Sequence, residues 1–386
     1  MTRTAPQDVV VVGAGIIGAA VAVELARRGA SVTIIERGAV GEAASAAAAG
    51  MLSPQAEADG PSPFLELGLA CRARYAEWVR GASEESGVRV DYRAGGVLNL
   101  ALTAEGAAKL QARRDWQQPL GLEAEWLSGP EARQLEPVLA DDLPGALFLP
   151  REAWVDSAAL TRALAIAARR RGAVVVERTG VTGLAVTGGR VTGVTAGGRR
   201  YAAGHVVIAA GAWASRIGGL PIPGDWVTPR RGQILAVRLE KPRIEHVLYT
   251  HGAYAVPRGA GELLVGTTVE QAGFDRQVTA GGIRSIVAGV ARFAPAIEGA
   301  EILRLAAGLR PESRDGVPVI GPLARLPCLV LAAGHFRNGI LLAPLTGELV
   351  AEAIVTGRTP AALGPFLPDR IPAGAEEPAA PSGQRP

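Results

Sequence analysis

The apolar positions of this chain gather into a few unbroken runs. Asp8-Val-Val-Val-Val12 lacks the polar alternation of a half-exposed strand, which predicts a buried strand of a parallel sheet. Gly13-Ala-Gly15-Ile-Ile-Gly18 follows, then a helical stretch to Arg28, a stop at Gly29, and a second run, Val32-Thr-Ile-Ile35, closed by Glu36. That succession predicts a βαβ unit. Two similar runs lie much later: His205-Val-Val-Ile-Ala-Ala-Gly-Ala-Trp213, and Leu329-Val-Leu-Ala-Ala-Gly-His335, which leads through Phe336-Arg-Asn-Gly339 into a helix over about 340–355. Strands so far apart, each ending in small residues, predict one sheet assembled from distant pieces of chain. Residues 246–268 read instead as two strands joined by the turn Gly259-Ala-Gly, within a largely antiparallel sheet.

The first βαβ unit carries a dinucleotide fingerprint. Gly13 permits the tight turn, Gly15 lets a pyrophosphate approach the backbone, and Gly18 lets the helix lie close to the sheet. The helix start, with Ile16 and Ile17, offers free N–H groups to phosphate. Glu36, 18 residues after Gly18, stands where a ribose hydroxyl needs an acceptor. Arg37 beside it could greet a 2′-phosphate, but Glu36 would repel one, so adenosine with a free ribose fits better.

Composition narrows the classes further. The 386 residues are 48% hydrophobic and 20% charged, with a mean hydropathy of +0.20, which describes a folded α/β chain long enough for two domains. Two cysteines, Cys71 and Cys328, cannot form a disulfide framework, and four scattered histidines provide no metal spacing. The net charge is +3, lysine occurs only at 109 and 241, and Arg169-Arg170-Arg171 reads as the solvated end of a helix, so no nucleic-acid partner is expected. The apolar stretch 9–23 is too short to span a membrane and is broken by glycines, so no membrane partner is expected either, and the cytoplasm is the default compartment. Residues 371–386, rich in Pro, Ala and Gly, read as a disordered tail.

From about Asp8 to Gly357 the chain resembles the glycine oxidases of thiamin biosynthesis, within the D-amino acid oxidase-like flavoprotein family. Four segments carry the resemblance: the fingerprint with Glu36; Ser45-Ala-Ala-Ala-Ala-Gly-Met-Leu52 with Glu57 beyond; Ala307-Gly-Leu-Arg-Pro311 with Asp315-Gly-Val-Pro-Val-Ile-Gly321; and Ala332-Ala-Gly-His-Phe-Arg-Asn-Gly-Ile-Leu-Leu-Ala-Pro344. It implies a Rossmann-like FAD-binding domain of split segments (1–85, 145–220 and 305–365) and a second, mainly antiparallel substrate domain (86–144 and 221–304). It also implies non-covalent FAD, because no cysteine lies near Gly308 and Arg310, where covalent relatives carry one.

The resemblance assigns roles residue by residue. Ala44 and Ser45 match phosphate-side positions; Ala49, Gly50 and Met51 match a segment touching the isoalloxazine. Val181 and Gly211 join the cofactor-binding set, as do His335, Phe336, Arg337, Asn338, Gly339, Ile340 and Leu341. Arg310 matches a carboxylate-binding arginine, Arg337 a second substrate-side arginine, and Tyr254 an active-site tyrosine. Met51 and Val269 face the substrate in the same match. The implied reaction is FAD-dependent oxidation of glycine, or of sarcosine or D-alanine, by oxygen, giving glyoxylate, ammonia and hydrogen peroxide, with the imine feeding thiazole formation. A thiazole-synthase partner and a homotetramer are implied too. Alternatives are a D-amino acid or sarcosine dehydrogenase of the same fold, a non-catalytic FAD-binding protein and, less well supported by motifs, a nicotinamide dehydrogenase.

Overall fold

Residues 8–372 are described by the computed structural model. The valines of Asp8–Val12 that lie within it, Val9 to Val12, are at most 3% exposed, and they sit at the centre of a six-stranded sheet. Its order is Val319–Leu323, Leu326–Ala333, His205–Ile208, Asp8–Val12, Ser31–Ile35, Val174–Val176, parallel except for the first pair. The three separated apolar runs therefore lie side by side, as their patterning predicts. Helices Ile16–Arg27, Ser157–Arg170, Pro63–Ser86 and Gly339–Thr356 pack together on one face. Gly18 is required there: a Cβ would run into the Gly13 carbonyl oxygen, so only glycine lets the helix start against the strand.

The second large sheet has eight strands: Glu301–Ser313, Val227–Arg238, Glu262–Gly266, Tyr254–Pro257, Val247–Tyr249, Val97–Ala101, Gly145–Leu149, Glu125–Ser128. All its pairs are antiparallel except Val247–Tyr249 with Val97–Ala101. Two small three-stranded sheets complete the chain, one of them joining Met51–Leu52, Ala153–Val155 and Tyr92–Arg93. The architecture is α/β with a parallel, Rossmann-like sheet and a mainly antiparallel second sheet.

Three details differ from the sequence reading. Residues 247–266 form three strands, because Thr250 and Ala253 close an extra turn: the Ala253 N–H donates to Thr250 Oγ1 at 2.9 Å and the Thr250 N–H to the Ala253 carbonyl at 2.8 Å. Strand Gly145–Leu149 and the whole of Glu301–Ser313 belong to the eight-stranded sheet, so that sheet runs across the divisions expected at 145 and 305. Ile371, read as the start of the tail, is 1% exposed in the core; residues 373–386 lie outside the described part. Helix Gly339–Thr356 has the length and hydropathy of a membrane span, but it is mostly buried against Ile16–Arg27 and Pro63–Ser86.

Candidate active site

Six described helices have eight residues or more. Four carry a side-chain N-cap: Ser62, Thr103, Asp156 and Thr279 each accept a backbone N–H. The two without one are Ile16–Arg27, entered through Gly15, and Gly339–Thr356, entered through Asn338. Both open onto one cavity. A helix start whose N-cap residue supplies no side-chain acceptor leaves N–H groups and a positive dipole end for an anionic or electron-rich group.

The cavity has about 1190 Å³ of empty space, open mouth included, and a neighbouring one about 1440 Å³. They share Gly15, Ala44, Ser45, Ala209 and Gly211, so they form one elongated cleft suited to a dinucleotide. At the far end lie Gly13, Glu36, Arg37, Val181 and Trp213. Glu36 Oε2 accepts from the Ala14 N–H at 2.7 Å and Oε1 from the Gly38 N–H at 2.8 Å, which fixes the carboxylate at the end of its strand. Arg37 lies 4.0 Å over the Trp213 ring, a cation–π stack that engages the guanidinium. Ser45 Oγ accepts from the Ile16 N–H at 3.0 Å, tying the alanine-rich segment to the helix start.

That segment, 43–51, forms turns and then a short strand rather than a regular helix. Gly50 has φ +70°, and a Cβ there would strike the Val155 carbonyl oxygen. Arg258 braces the segment from the second sheet: Nη2 donates to the Ala49 carbonyl at 2.6 Å, and its guanidinium lies 4.3 Å over Trp154. Burial pulls the Arg258 pKa down to about 10. Ile16, Ile17, Ala44, Ser45, Ala49, Gly50, Met51, Gly211, Tyr254, Arg310, His335, Phe336, Arg337, Asn338, Gly339 and Ile340 all line the nearer cavity.

Three expected residues, Leu341, Val269 and Gly18, line neither cavity. Leu341 is fully buried in the helical core, packed toward Gly68 of Pro63–Ser86, because one residue further along the helix turns it away from the mouth. Val269 is 55% exposed and lies beyond the end of its strand; Thr267 lines the cavity there, and Thr268 meets Arg310 only through its carbonyl. Gly18 supports the turn from below rather than touching the cavity.

The other end of the cleft is built across the seam of the two sheets. The Phe336 N–H donates to the Pro311 carbonyl at 2.7 Å, and Glu312 bridges to His335, which sets Arg310 and Arg337 in one cavity. Gly232 and Gly308 face each other on the two longest strands, and the Arg310 side chain lies over Gly232, where any Cβ would overlap its guanidinium. Arg310 Nη1 donates to the Thr268 carbonyl at 3.0 Å and Nη2 to Thr267 Oγ1 at 2.6 Å. Among the described residues it has no carboxylate partner within 4.0 Å. Burial lowers its pKa; Tyr254 opposes that shift and the nearby Arg337 adds to it. Tyr254 is buried, pairs with Gly266 across the strand, and has its phenol pKa raised by burial.

Arg337 is held differently. Its Nη2 lies 3.0 Å from Glu57 Oε1 and donates to the Tyr249 hydroxyl at 3.0 Å. Burial works against its charge, but Glu57 and then Tyr249 outweigh burial, so its pKa rises. Burial first, then Glu57, pushes the Tyr249 phenol up to about 12. His335 is 3% exposed, its Nε2 is 3.2 Å from Thr346 Oγ1, and burial pulls its pKa down to about 3, so the ring is neutral.

Sequence reasoning missed Thr267, Gly232, Tyr249, Arg258 and the role of Glu57. Gly308 and Arg310 stood in one motif, but no local signal marks Gly232, whose partner is some 75 positions away in the chain.

An uncapped glycine-rich helix start, a small-residue cradle, a carboxylate at the end of the second strand and a second uncapped helix fit an FAD. Residues 8–353 match the FAD dependent oxidoreductase family, and the chain belongs to it. Among its relatives, the glycine oxidase of Geobacillus kaustophilus is 39% identical over 362 residues, covering 93% of this chain and 96% of that protein. The crystal structure of glycine oxidase from the same organism superposes with a TM-score of 0.89 at 38% identity, covering 94% of this chain and 98% of that one. The bifunctional protein ThiO/ThiG of a Nostoc species is 36% identical over 372 residues, which is 95% of this chain but 55% of that protein.

Proposed function

We propose that the protein is an FAD-dependent glycine oxidase, converting glycine, oxygen and water to glyoxylate, ammonia and hydrogen peroxide. The observation that carries this reading is Arg310: a partly buried guanidinium with no carboxylate partner among the described residues, beside Tyr254, at one end of a dinucleotide cleft. FAD, when bound, supplies the two-electron acceptor for the substrate and returns the electrons to oxygen. Glu36, Gly15, Ala44, Ser45, Val181 and Gly211 hold its adenosine and pyrophosphate; Ala49 to Met51 and His335 to Ile340 hold its ring. The start of helix Gly339–Thr356 presents free N–H groups on that side.

The remaining work is positional. Arg310 takes the substrate carboxylate in a charge-assisted pair, and the Tyr254 hydroxyl adds a bond to the same group. Met51 limits the room around the α-carbon. His335 is engaged with Thr346 and Glu57 with Arg337, so neither serves as a base; the amine gives up its proton to solvent and reacts as the free base. Sarcosine and D-alanine belong to the same small-amine class.

The reading extends to a cytoplasmic homotetramer whose imine product reaches a thiazole-synthase partner. The ThiO/ThiG relatives, about half of whose length this chain matches, support the partner. Light scattering on the purified protein tests the tetramer. Anaerobic mixing with glycine tests the chemistry: the visible flavin band bleaches, and air restores it with release of peroxide. Bleaching without recovery in air would mean a dehydrogenase with another acceptor. A flavin that glycine leaves untouched would sink the substrate assignment.

A further inference from the structure

Two arginines line the reaction cavity, and they are not equivalent. Arg310 donates only to neutral oxygens, those of Thr267 and Thr268. Arg337 is neutralised by Glu57 at 3.0 Å. Glu57 is itself pinned, since Asn338 Nδ2 donates to its second oxygen at 3.3 Å. Arg337 is fixed from the other side by Tyr249 at 3.0 Å. The side chains of Glu57 and Arg337 are 17% and 22% exposed, so the pair sits in a partly desolvated wall where charges interact strongly. Glu57 and Arg337 also line a second, outer cavity with Lys109, Arg113 and His251, so the pair forms the partition a larger substrate would meet.

We propose that Glu57 is a specificity-determining residue: by occupying Arg337 it leaves Arg310 as the single unpaired cation among the described residues of the reaction cavity, and so selects monocarboxylates over dicarboxylates. The two arginines and one carboxylate give the cavity a local charge of +1. A monocarboxylate on Arg310 cancels that charge. A second carboxylate would meet an arginine already engaged and the negative charge of Glu57, a like-charge contact in a low-dielectric wall. Without the Glu57 charge, Arg337 becomes a free bidentate donor and the local charge of +2 matches a dicarboxylate. The competing role for Glu57, an anchor for the substrate ammonium, would leave amine-free ligands unaffected.

This inference rests on the proposed function only in seating a carboxylate on Arg310, and amine-free probes separate the two. Methoxyacetate and diglycolate share a glycolic-ether skeleton, and diglycolate adds a second carboxylate. Their dissociation constants are measured on the FAD-loaded enzyme by calorimetry and by the shift of the visible flavin band. In the wild type, diglycolate binds no tighter than methoxyacetate. In Glu57→Gln the diglycolate-to-methoxyacetate affinity ratio rises about tenfold or more, the scale of one charge-assisted hydrogen bond. Glu57→Asp returns the ratio toward wild type, and adding Arg337→Gln to Glu57→Gln abolishes the gain. An unchanged ratio in a flavin-replete Glu57→Gln protein overturns the proposal, as does a gain that survives Arg337→Gln or a wild type that binds neither ligand. Should Glu57→Gln lose FAD, Arg337→Gln alone decides: it bares the Glu57 charge, so the ratio falls, and a rise refutes the idea. If glycine fails to bleach the flavin while the ratio responds, only the glycine reading falls.

Discussion

Replacing Arg310 by alanine removes the one guanidinium that, among the described residues, lines the cavity free to pair with a substrate. Its geometry sets the expected loss. Two N–H groups are already spent on Thr268 at 3.0 Å and Thr267 at 2.6 Å, which lock the plane of the guanidinium and leave the rest of its five donors for a carboxylate. Charge-assisted bonds to a buried partner are worth about 1.5–3 kcal/mol each, and losing one member of a buried charged pair costs about 2–5 kcal/mol. The expected weakening of glycine binding is therefore roughly one and a half to three and a half orders of magnitude. Arg310→Lys falls between, at roughly ten- to a hundredfold, because one ammonium cannot bond both threonines and still present a fork.

Arg310 makes no ion pair among the described residues and carries a desolvation cost, so its loss leaves no buried carboxylate unpartnered. FAD occupancy, read from the ratio of visible to ultraviolet absorbance, stays at the wild-type level, and the melting temperature holds. Anaerobic stopped-flow reduction across a range of glycine concentrations gives the dissociation constant directly. A change within threefold, in a protein that retains its flavin, would refute the assignment of Arg310 to the carboxylate. Flavin lost in step with activity would mean that the residue holds the cofactor instead.

Three further outcomes follow from the same geometry. Gly232→Ala places a Cβ on the Arg310 guanidinium and should raise the glycine dissociation constant by about tenfold or more with FAD retained; wild-type kinetics in that variant would show that the arginine has room to move. His335 is held neutral in the folded protein with a pKa of about 3, whereas an unfolded histidine takes up a proton below about 6.5. Its contribution is thus complete above that pH and lost as pH falls, by about 2 kcal/mol between pH 7 and pH 5; urea unfolding of His335→Gln should show a shallower decline, and identical declines would contradict the buried neutral ring. Both cysteines are buried, and neither lines the cofactor cleft, so acid precipitation should leave a colourless pellet and a yellow supernatant; colour in the pellet would signal a covalent flavin.

What the chain discloses in advance is whatever depends on backbone. The strand Asp8–Val12, the glycines of the first turn, the alanines before Met51 and the strand leading to His335 are legible because the cofactor side is made of small residues and helix starts, whose sequence signature is local. Thr250 shows the limit of that legibility. Nothing in its immediate run distinguishes a turn from a continuing strand until its hydroxyl is seen accepting from Ala253. Val269 shows a second limit, since alternation along a strand stops informing once the strand ends at Gly266 and the chain turns.

The substrate side obeys another rule. Arg310 sits on the longest strand of one sheet, Arg337 just beyond a strand of the other, and the backbone pairing of Pro311 and Glu312 with His335 and Phe336 sets them side by side. Which arginine is free is then decided by residues far away in the chain: Glu57 by its charge, Gly232 by its missing side chain and Thr267 by its hydroxyl. None of these bears a mark of function in its own neighbourhood. The motif around Arg310 identifies a candidate cation, but its availability is a property of the seam between the sheets, and so substitutions at Glu57 and Gly232 should alter substrate binding as surely as substitutions of the arginines themselves.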